Sequence, residues 1–233
     1  MHFLFKRKVM LIMLFFSSVI ISNAVNAGGV SLGSTRIIHP TTAKQSSISV
    51  RNSSPDASYL IQSWVENKDN NKTSDFIITP PLFVSSAGGE NMVRIMYSGS
   101  ALPTDRETLY YFNARAVPSI DKNKIGDRNI LMLATITQIK LFVRPSGLSP
   151  APEKAPELLT FIKSGKKIIV NNPTPYYITL VQMTIDGRNI GDVMVPPKGQ
   201  ADIALPSTNG KSLNFKTMND YGAAVEHKTV MLN

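Results

Sequence analysis

Ile130-Leu131-Met132-Leu133-Ala134-Thr135-Ile136-Thr137-Gln138-Ile139-Lys140-Leu141-Phe142-Val143-Arg144 is a run of 15 residues without glycine or proline. As a strand it reaches roughly 50 Å at about 3.3 Å per residue, far beyond the usual ~5–6 residues. One alternate set holds Leu131, Leu133, Thr135, Thr137, Ile139, Leu141 and Val143. The other holds Ile130, Met132, Ala134, Ile136, Gln138, Lys140, Phe142 and Arg144. The first half is apolar on both faces and needs cover on both. By pattern alone the simpler reading is a central core strand. At a sheet edge the same run is a pairing site or an aggregation hazard.

The chain around it reads as strands throughout. Before the run, apolar or β-branched stretches occur at 35–38, 48–50, 59–65, 76–79, 92–97 and 109–117. Between them lie turn signals: Asn52-Ser53-Ser54-Pro55-Asp56, residues 68–71, Gly88-Gly89, and 121–127 with Gly126. This spacing suits an immunoglobulin-like sandwich. Pro145, Pro150, Pro152 and Pro156 then fall close together. Proline has no ladder donor, so this segment is not a central strand. It is expected to be a semi-rigid linker. A second strand set follows at 158–162, 167–171, 176–185, 201–205, 213–217 and 225–231, with Asp186-Gly187 as a hairpin turn. The expectation is all-β, with two sandwich domains in series at 28–147 and 158–233, joined by 148–157. The two halves show no obvious sequence repeat.

Composition sets the outer limits. The chain has 233 residues, 42% of them hydrophobic, and no cysteine. It can build a core, and a disulfide scaffold, thiolate metal site or thiol nucleophile is excluded. Residues 1–27 carry Lys6, Arg7 and Lys8, then an apolar run at 9–21, then Val25-Asn26-Ala27. This is the pattern of a cleaved secretory signal, and the apolar run is short for a bilayer core. Cleavage after Ala27 places the mature chain outside the cytoplasm. It removes three basic residues and no acidic one, so the formal charge of +9 becomes +6. No basic cluster is dense enough to suggest nucleic-acid binding, and no later stretch suggests membrane insertion.

One stretch is more specific. Leu102-Pro103-Thr104-Asp105-Arg106-Glu107-Thr108-Leu109-Tyr110-Tyr111-Phe112-Asn113, followed by Val117-Pro118-Ser119, resembles the signature of the PapD-like periplasmic pilus chaperones. Ala114 departs from it, since a larger aliphatic residue is usual there. Further blocks agree in order along the chain: Gly33-Ser34-Thr35-Arg36-Ile37-Ile38, Tyr59-Leu60-Ile61-Gln62-Ser63-Trp64-Val65, Thr79-Pro80-Pro81-Leu82-Phe83, Ile139-Lys140-Leu141-Phe142-Val143-Arg144-Pro145, Asn172-Pro173-Thr174-Pro175-Tyr176-Tyr177 and Asn219-Asp220-Tyr221-Gly222.

The resemblance implies two immunoglobulin-like domains in an L or boomerang arrangement with a cleft between them. It implies a periplasmic, non-enzymatic chaperone that binds pilus subunits, keeps them from aggregating and delivers them to an outer-membrane usher. It does so by donor-strand complementation, lending an edge strand to a subunit that lacks one. Within the resemblance, Leu131, Leu133 and Thr135 face the subunit groove, Thr135 standing where an aliphatic residue is commoner. Arg36 and Lys140 grip the subunit's C-terminal carboxylate, a task suited to a guanidinium fork beside an ammonium. Lys140 lies five residues beyond Thr135, so in a regular strand the two face opposite ways. Either a bulge or strong twist intervenes, or the subunit meets the two from different angles. Glu107, Arg144 and Asp220 match an interdomain ion network. The short connection at 118–129 and the missing cysteines resemble the short-loop branch of the family. An exposed apolar edge also makes a self-capped dimer plausible without a subunit.

No nucleophile elbow, Walker loop or dinucleotide fingerprint appears. No catalytic residue, metal site or cofactor is expected. His39 and His227 are expected to be structural or surface groups, and Trp64 a core residue. Asn52-Ser53-Ser54 and Asn71-Lys72-Thr73 match the glycosylation acceptor pattern, which is weak evidence. Two rivals stay open at this level: a pilin or adhesin built of sandwich domains, and a periplasmic hydrolase.

Overall fold

The computed structural model describes residues 28–119, 133–205 and 210–232. The expected signal segment and Leu131 lie outside these residues, as does most of the 118–129 connection. In the first half, β1 (Val30–Leu32), β3 (Ser46–Asn52), β7 (Glu90–Tyr97) and β5 (Phe76–Thr79) form a sheet in the order β1-β3-β7-β5. A second sheet runs β2-β9-β8-β4-β6, from β2 (Arg36–Pro40), β9 (Thr135–Arg144), β8 (Thr108–Pro118), β4 (Tyr59–Asn67) and β6 (Leu82–Ser85). Alternate residues of β3, β4 and β7 are buried, which is the period-two signature of strands with one face on a core. That core joins Ile48, Val50, Val93 and Ile95 of one sheet to Ile61, Phe112, Ile139 and Leu141 of the other.

The second half repeats the plan. One sheet is β10 (Thr160–Ser164), β11 (Lys167–Asn172) and β14 (Gly199–Ala204). The other centres on β12 (Ile178–Ile185) and β15 (Ser212–Met218), flanked by β13 (Arg188–Val195) and by β16 (Ala224–Glu226) and β17 (Val230–Met231). Ile168, Val170, Leu180, Met183, Leu213 and Phe215 meet between them. The Asp186-Gly187 turn closes β12 onto β13 with both residues at positive φ, 46° and 79°, as a tight hairpin turn requires. The proline-rich segment contains one 3-10 turn, Ala155–Leu158, and lies against the second domain. Ala155 is buried in that domain's core, and the Tyr176 hydroxyl donates to the Pro150 carbonyl at 2.9 Å.

Three strands escape the sequence pattern. β1 is only three residues long, and β6 follows directly on Pro80-Pro81. β13 contains Gly191 at φ +85° and a register irregularity opposite residues 180–184 of β12, where Asp192 Oδ1 accepts from the Gln182 amide. Gly-Asp favours a turn, yet here it lies inside a strand, beside a bulge.

The structure also uncovers a short repeat between the domains. β3 and β11 both end in a fully buried asparagine, Asn52 and Asn172. The sequences there are Asn52-Ser53-Ser54-Pro55 and Asn172-Pro173-Thr174-Pro175. The Asn52 amide lies within hydrogen-bonding range of the Ala57, Ser85 and Ser86 carbonyls, and that of Asn172 within range of Tyr176, Val195 and Pro196. Each side-chain oxygen accepts the amide two residues on, from Ser54 or Thr174. The same plug thus satisfies loop carbonyls at the same end of both sandwiches. It also makes Asn52 inaccessible to glycosylation.

Candidate functional site

β9 has two different environments along its length. β2 pairs with it in parallel only from Arg36↔Lys140 to Pro40↔Arg144. β8 pairs with it along its whole length, from Ala116↔Thr135 to Thr108↔Val143. Among the described residues, positions 135–139 therefore have a strand on one side and an open edge on the other. The long run is neither simply a core strand nor simply an edge: it is covered from Lys140 onward and, among the described residues, open at 135–139. Exposure follows the same division. Leu133 is 71% and Ile136 54% exposed, whereas Ile139 is 9% and Leu141 0%.

The β8–β9 register is continuous, with no bulge. Thr135 and Thr137 thus share the face of Ile139 and Leu141, beyond the rim of the first core, and the exposed Leu133 lies just before the strand. Ile136, Gln138, Lys140, Phe142 and Arg144 occupy the other face. Lys140 and Thr135 do face opposite ways, and a partner touching both must lie along the edge.

Arg36 and Lys140 face each other where β2 begins to pair. Each reaches across to the second domain. Arg36 Nη1 donates to the Met218 carbonyl at 3.3 Å, and Lys140 Nζ donates to Thr179 Oγ1 at 3.1 Å. Arg36 Nε is buried and has no hydrogen-bond partner among the described residues. Burial pushes both cations below their ordinary pKa values, and Arg36 pushes Lys140 down further while Asp192 opposes. For Arg36, Asp220 and Glu107 work against the burial. Two like charges are held close together, partly dehydrated, with neutral acceptors only in hydrogen-bonding range among the described residues. Such a pair attracts an anion with several oxygen lone pairs.

Arg144, four residues on and on the same face of β9, joins the domains. Its Nε donates to Glu107 Oε1 at 2.7 Å, and its Nη1 and Nη2 donate to the two Asp220 oxygens at 2.6 and 2.7 Å. The Tyr177 amide donates to the remaining Glu107 oxygen at 2.8 Å, and the guanidinium lies 5.1 Å from the Tyr176 ring centroid. Burial holds the Glu107 carboxyl above the usual carboxylate range, against the pull of Arg144 and the Tyr177 amide. Burial pulls the Arg144 guanidinium down, but Asp220 and Glu107 together outweigh it and push it up. A pocket of about 540 Å³ opens beside these groups, lined in part by Arg36, Tyr176, Met218 and Tyr221.

Other contacts across the domains join residues that no local sequence pattern pairs. Lys198 Nζ donates to Asp105 Oδ2 at 2.6 Å, and the Glu107 amide donates to the Pro175 carbonyl at 2.9 Å. Phe142 packs on Tyr177 with ring centroids 5.6 Å apart. Gly222, at φ +82°, approaches Thr35 so closely that a Cβ there would overlap the threonine hydroxyl. His39 is buried, with Nδ1 at 2.8 Å from Ser46 Oγ, and His227 stacks on Phe215. Among the described residues, no group of three or more histidines and carboxylates is placed to hold a metal ion.

Fold and site together define a protein of two immunoglobulin-like sandwiches, with an ion network between them and an open strand edge on the first. Residues 29–149 match the model for the pili and flagellar-assembly chaperone PapD N-terminal domain, and 154–229 the PapD C-terminal domain. The chain belongs to the PapD family of pilus-assembly chaperones. It is 44% identical over 227 residues to the probable fimbrial chaperone SfmC of Escherichia coli K12, spanning 97% of this chain and 99% of that protein. It is 42% identical over 217 residues to the chaperone FimC of the same organism, spanning 93% and 89%. The crystal structure of the periplasmic chaperone SfaE superposes with a TM-score of 0.75 at 38% identity, covering 88% of this chain and 99% of that one. The SafB chaperone of Salmonella enterica, solved in complex with the SafA pilin, superposes at 0.77 with 31% identity, covering 87% and 94%. The chain is thus a fimbrial chaperone, and the family is not enzymatic.

Proposed function

We propose that this chain captures pilus subunits in the periplasm by lending them the open half of β9, and passes them to an outer-membrane usher. The observation that carries the reading is the position of Arg36 and Lys140. They stand where β2 stops covering β9 and the open edge starts. A subunit carboxylate held there puts the preceding residues alongside 139, 138 and onward to 135. The guest strand then runs parallel to β9, continuing the line of β2. Leu133 and Thr135, with Leu131 beyond, project from that edge into the subunit's groove, and the guest's backbone groups pair with those of β9. Glu107, Arg144 and Asp220 fix the two domains around the anchor.

Residues 1–27 direct export and are removed after Ala27, and the working division of the mature chain is 28–147, 148–157 and 158–233. Without a subunit, two copies can cap each other's open edges. Co-expression with candidate pilus subunits tests the reading. Wild type retains the subunit through purification, whereas Arg36→Ala, Lys140→Ala and Leu133→Glu lose it. Capture by all three variants at the wild-type level overturns the proposal.

A further inference from the structure

Positions 135–139 have a strand partner on one side only, so their extended shape in the free chain depends on β8 and on what holds them from the faces. On the core side that support ends at Ile139, because Thr135 and Thr137 are exposed. On the other face, among the described residues, the Glu66 side chain hydrogen-bonds the segment at Gln138. Glu66 lies on β4, with β8 between it and β9. Its Oε2 accepts from Gln138 Nε2 at 3.0 Å, and its Oε1 accepts from the Trp64 indole Nε1–H at 2.7 Å.

The strand registers place Trp64, Asn113 and Gln138 in one row and Glu66, Tyr111 and Lys140 in the next. The carboxylate therefore bridges diagonally over Asn113, which is buried. Both of its oxygens are taken by neutral donors, one on each side of β8. Gln138 lies inside the open segment, two residues from the Lys140 anchor.

We propose that Glu66 is a positioning residue for subunit capture. By tethering Gln138 it holds the unpaired half of β9 extended and level with β8 before a guest strand arrives. The proposal rests on the donor-strand reading above. A strand already ordered does not have to be ordered at the moment of binding, so the tether favours capture without touching the subunit. Trp64 is the chain's one tryptophan and shares the same carboxylate, so its emission reports whether the bridge is intact.

The test uses the full mature protein. Amide hydrogen exchange at 135–139 is measured without subunit, alongside capture of a denatured pilus subunit and the thermal midpoint. Glu66→Ala and Gln138→Ala are expected to speed exchange at 135–139 and slow capture by about five- to tenfold, the weight of one net hydrogen bond, with the thermal midpoint unchanged. Glu66→Gln restores both, since its amide keeps an acceptor for Trp64 and offers a donor to a flipped Gln138. The proposal is overturned if Glu66→Ala alters Trp64 emission yet leaves exchange at 135–139 at the wild-type rate. It is equally overturned if exchange rises while capture is untouched. Failure of the donor-strand reading shows differently: Leu133→Glu then captures subunits normally, whatever Glu66 does in the free protein.

Discussion

Arg36 and Lys140 are direct partners across the parallel β2–β9 pair, at the first position of that pair. Beyond them β9 continues without β2, so the cations mark the end of a free edge. Each cation makes one bond to a neutral oxygen of the second domain. Removing either leaves the edge intact but deprives an incoming carboxylate of a charge-assisted bond worth ~1.5–3 kcal/mol. Arg36→Ala and Lys140→Ala are each expected to weaken subunit binding about 10- to 100-fold, measured as equilibrium affinity. Arg36→Lys falls between, because it keeps the charge and loses the fork. Loss of folding in these variants, seen by circular dichroism, argues for a structural role instead.

Lys140 also predicts a pH dependence. Burial and the Arg36 charge lower its pKa in the free protein, and a bound carboxylate raises it. Binding therefore favours the protonated lysine. Affinity is full below the free-state pKa and falls as the pH rises through it, at a pH lower than an ordinary lysine would show. Titration of affinity against pH shows this decline in wild type. Lys140→Arg should hold its affinity across the same range, and matching profiles for the two exclude Lys140 as the titrating group.

Arg144 leaves a buried acid behind when it is removed. The Glu107 side chain is 1% exposed and, among the described residues, takes its only other hydrogen bond from the Tyr177 amide. Arg144→Met is expected to destabilise the protein by about 3–5 kcal/mol, the usual cost of breaking a buried pair from one side. Glu107 already has a raised pKa in the folded chain, and it rises further without the arginine. Its contribution is therefore intact below the unfolded carboxyl pKa and lost as the pH climbs through the folded value. Thermal unfolding should show the gap between Arg144→Met and wild type narrowing in acid.

Asn52 and Asn172 should behave as a matched pair. Asn52→Ala or Asn172→Ala strands buried loop carbonyls, at about 1–3 kcal/mol for each group left unpaired. Aspartate is worse at either site, since it faces those carbonyls without a donor. Hydrogen exchange by domain separates the two: each substitution should loosen mainly its own sandwich.

Much of this was legible in sequence, for identifiable reasons. β8 and β9 are long, alternating and free of breakers, so their existence and their placement of Lys140 and Arg144 followed from period two alone. Whether β9 was covered did not, because that depends on where β2 begins, and β2 is about a hundred residues away in the chain. β13 was hidden by Gly191-Asp192, residues that punctuate turns and here lie in a strand beside a bulge. The Asn52 and Asn172 plugs share only a few residues, too few to read as a repeat before their carbonyl partners are seen. Glu66 with Gln138 and Asp105 with Lys198 are long-range pairs of ordinary surface residue types, and no local pattern announces them.

The most direct measurement of the central claim is amide hydrogen exchange of β9 in the chaperone–subunit complex compared with the free protein. Pairing with a guest strand predicts strong new protection at 135–139, with little change at 140–144, where β2 already pairs. Unchanged exchange at 135–139 in a stable complex would mean that the subunit binds elsewhere, and would contradict the account.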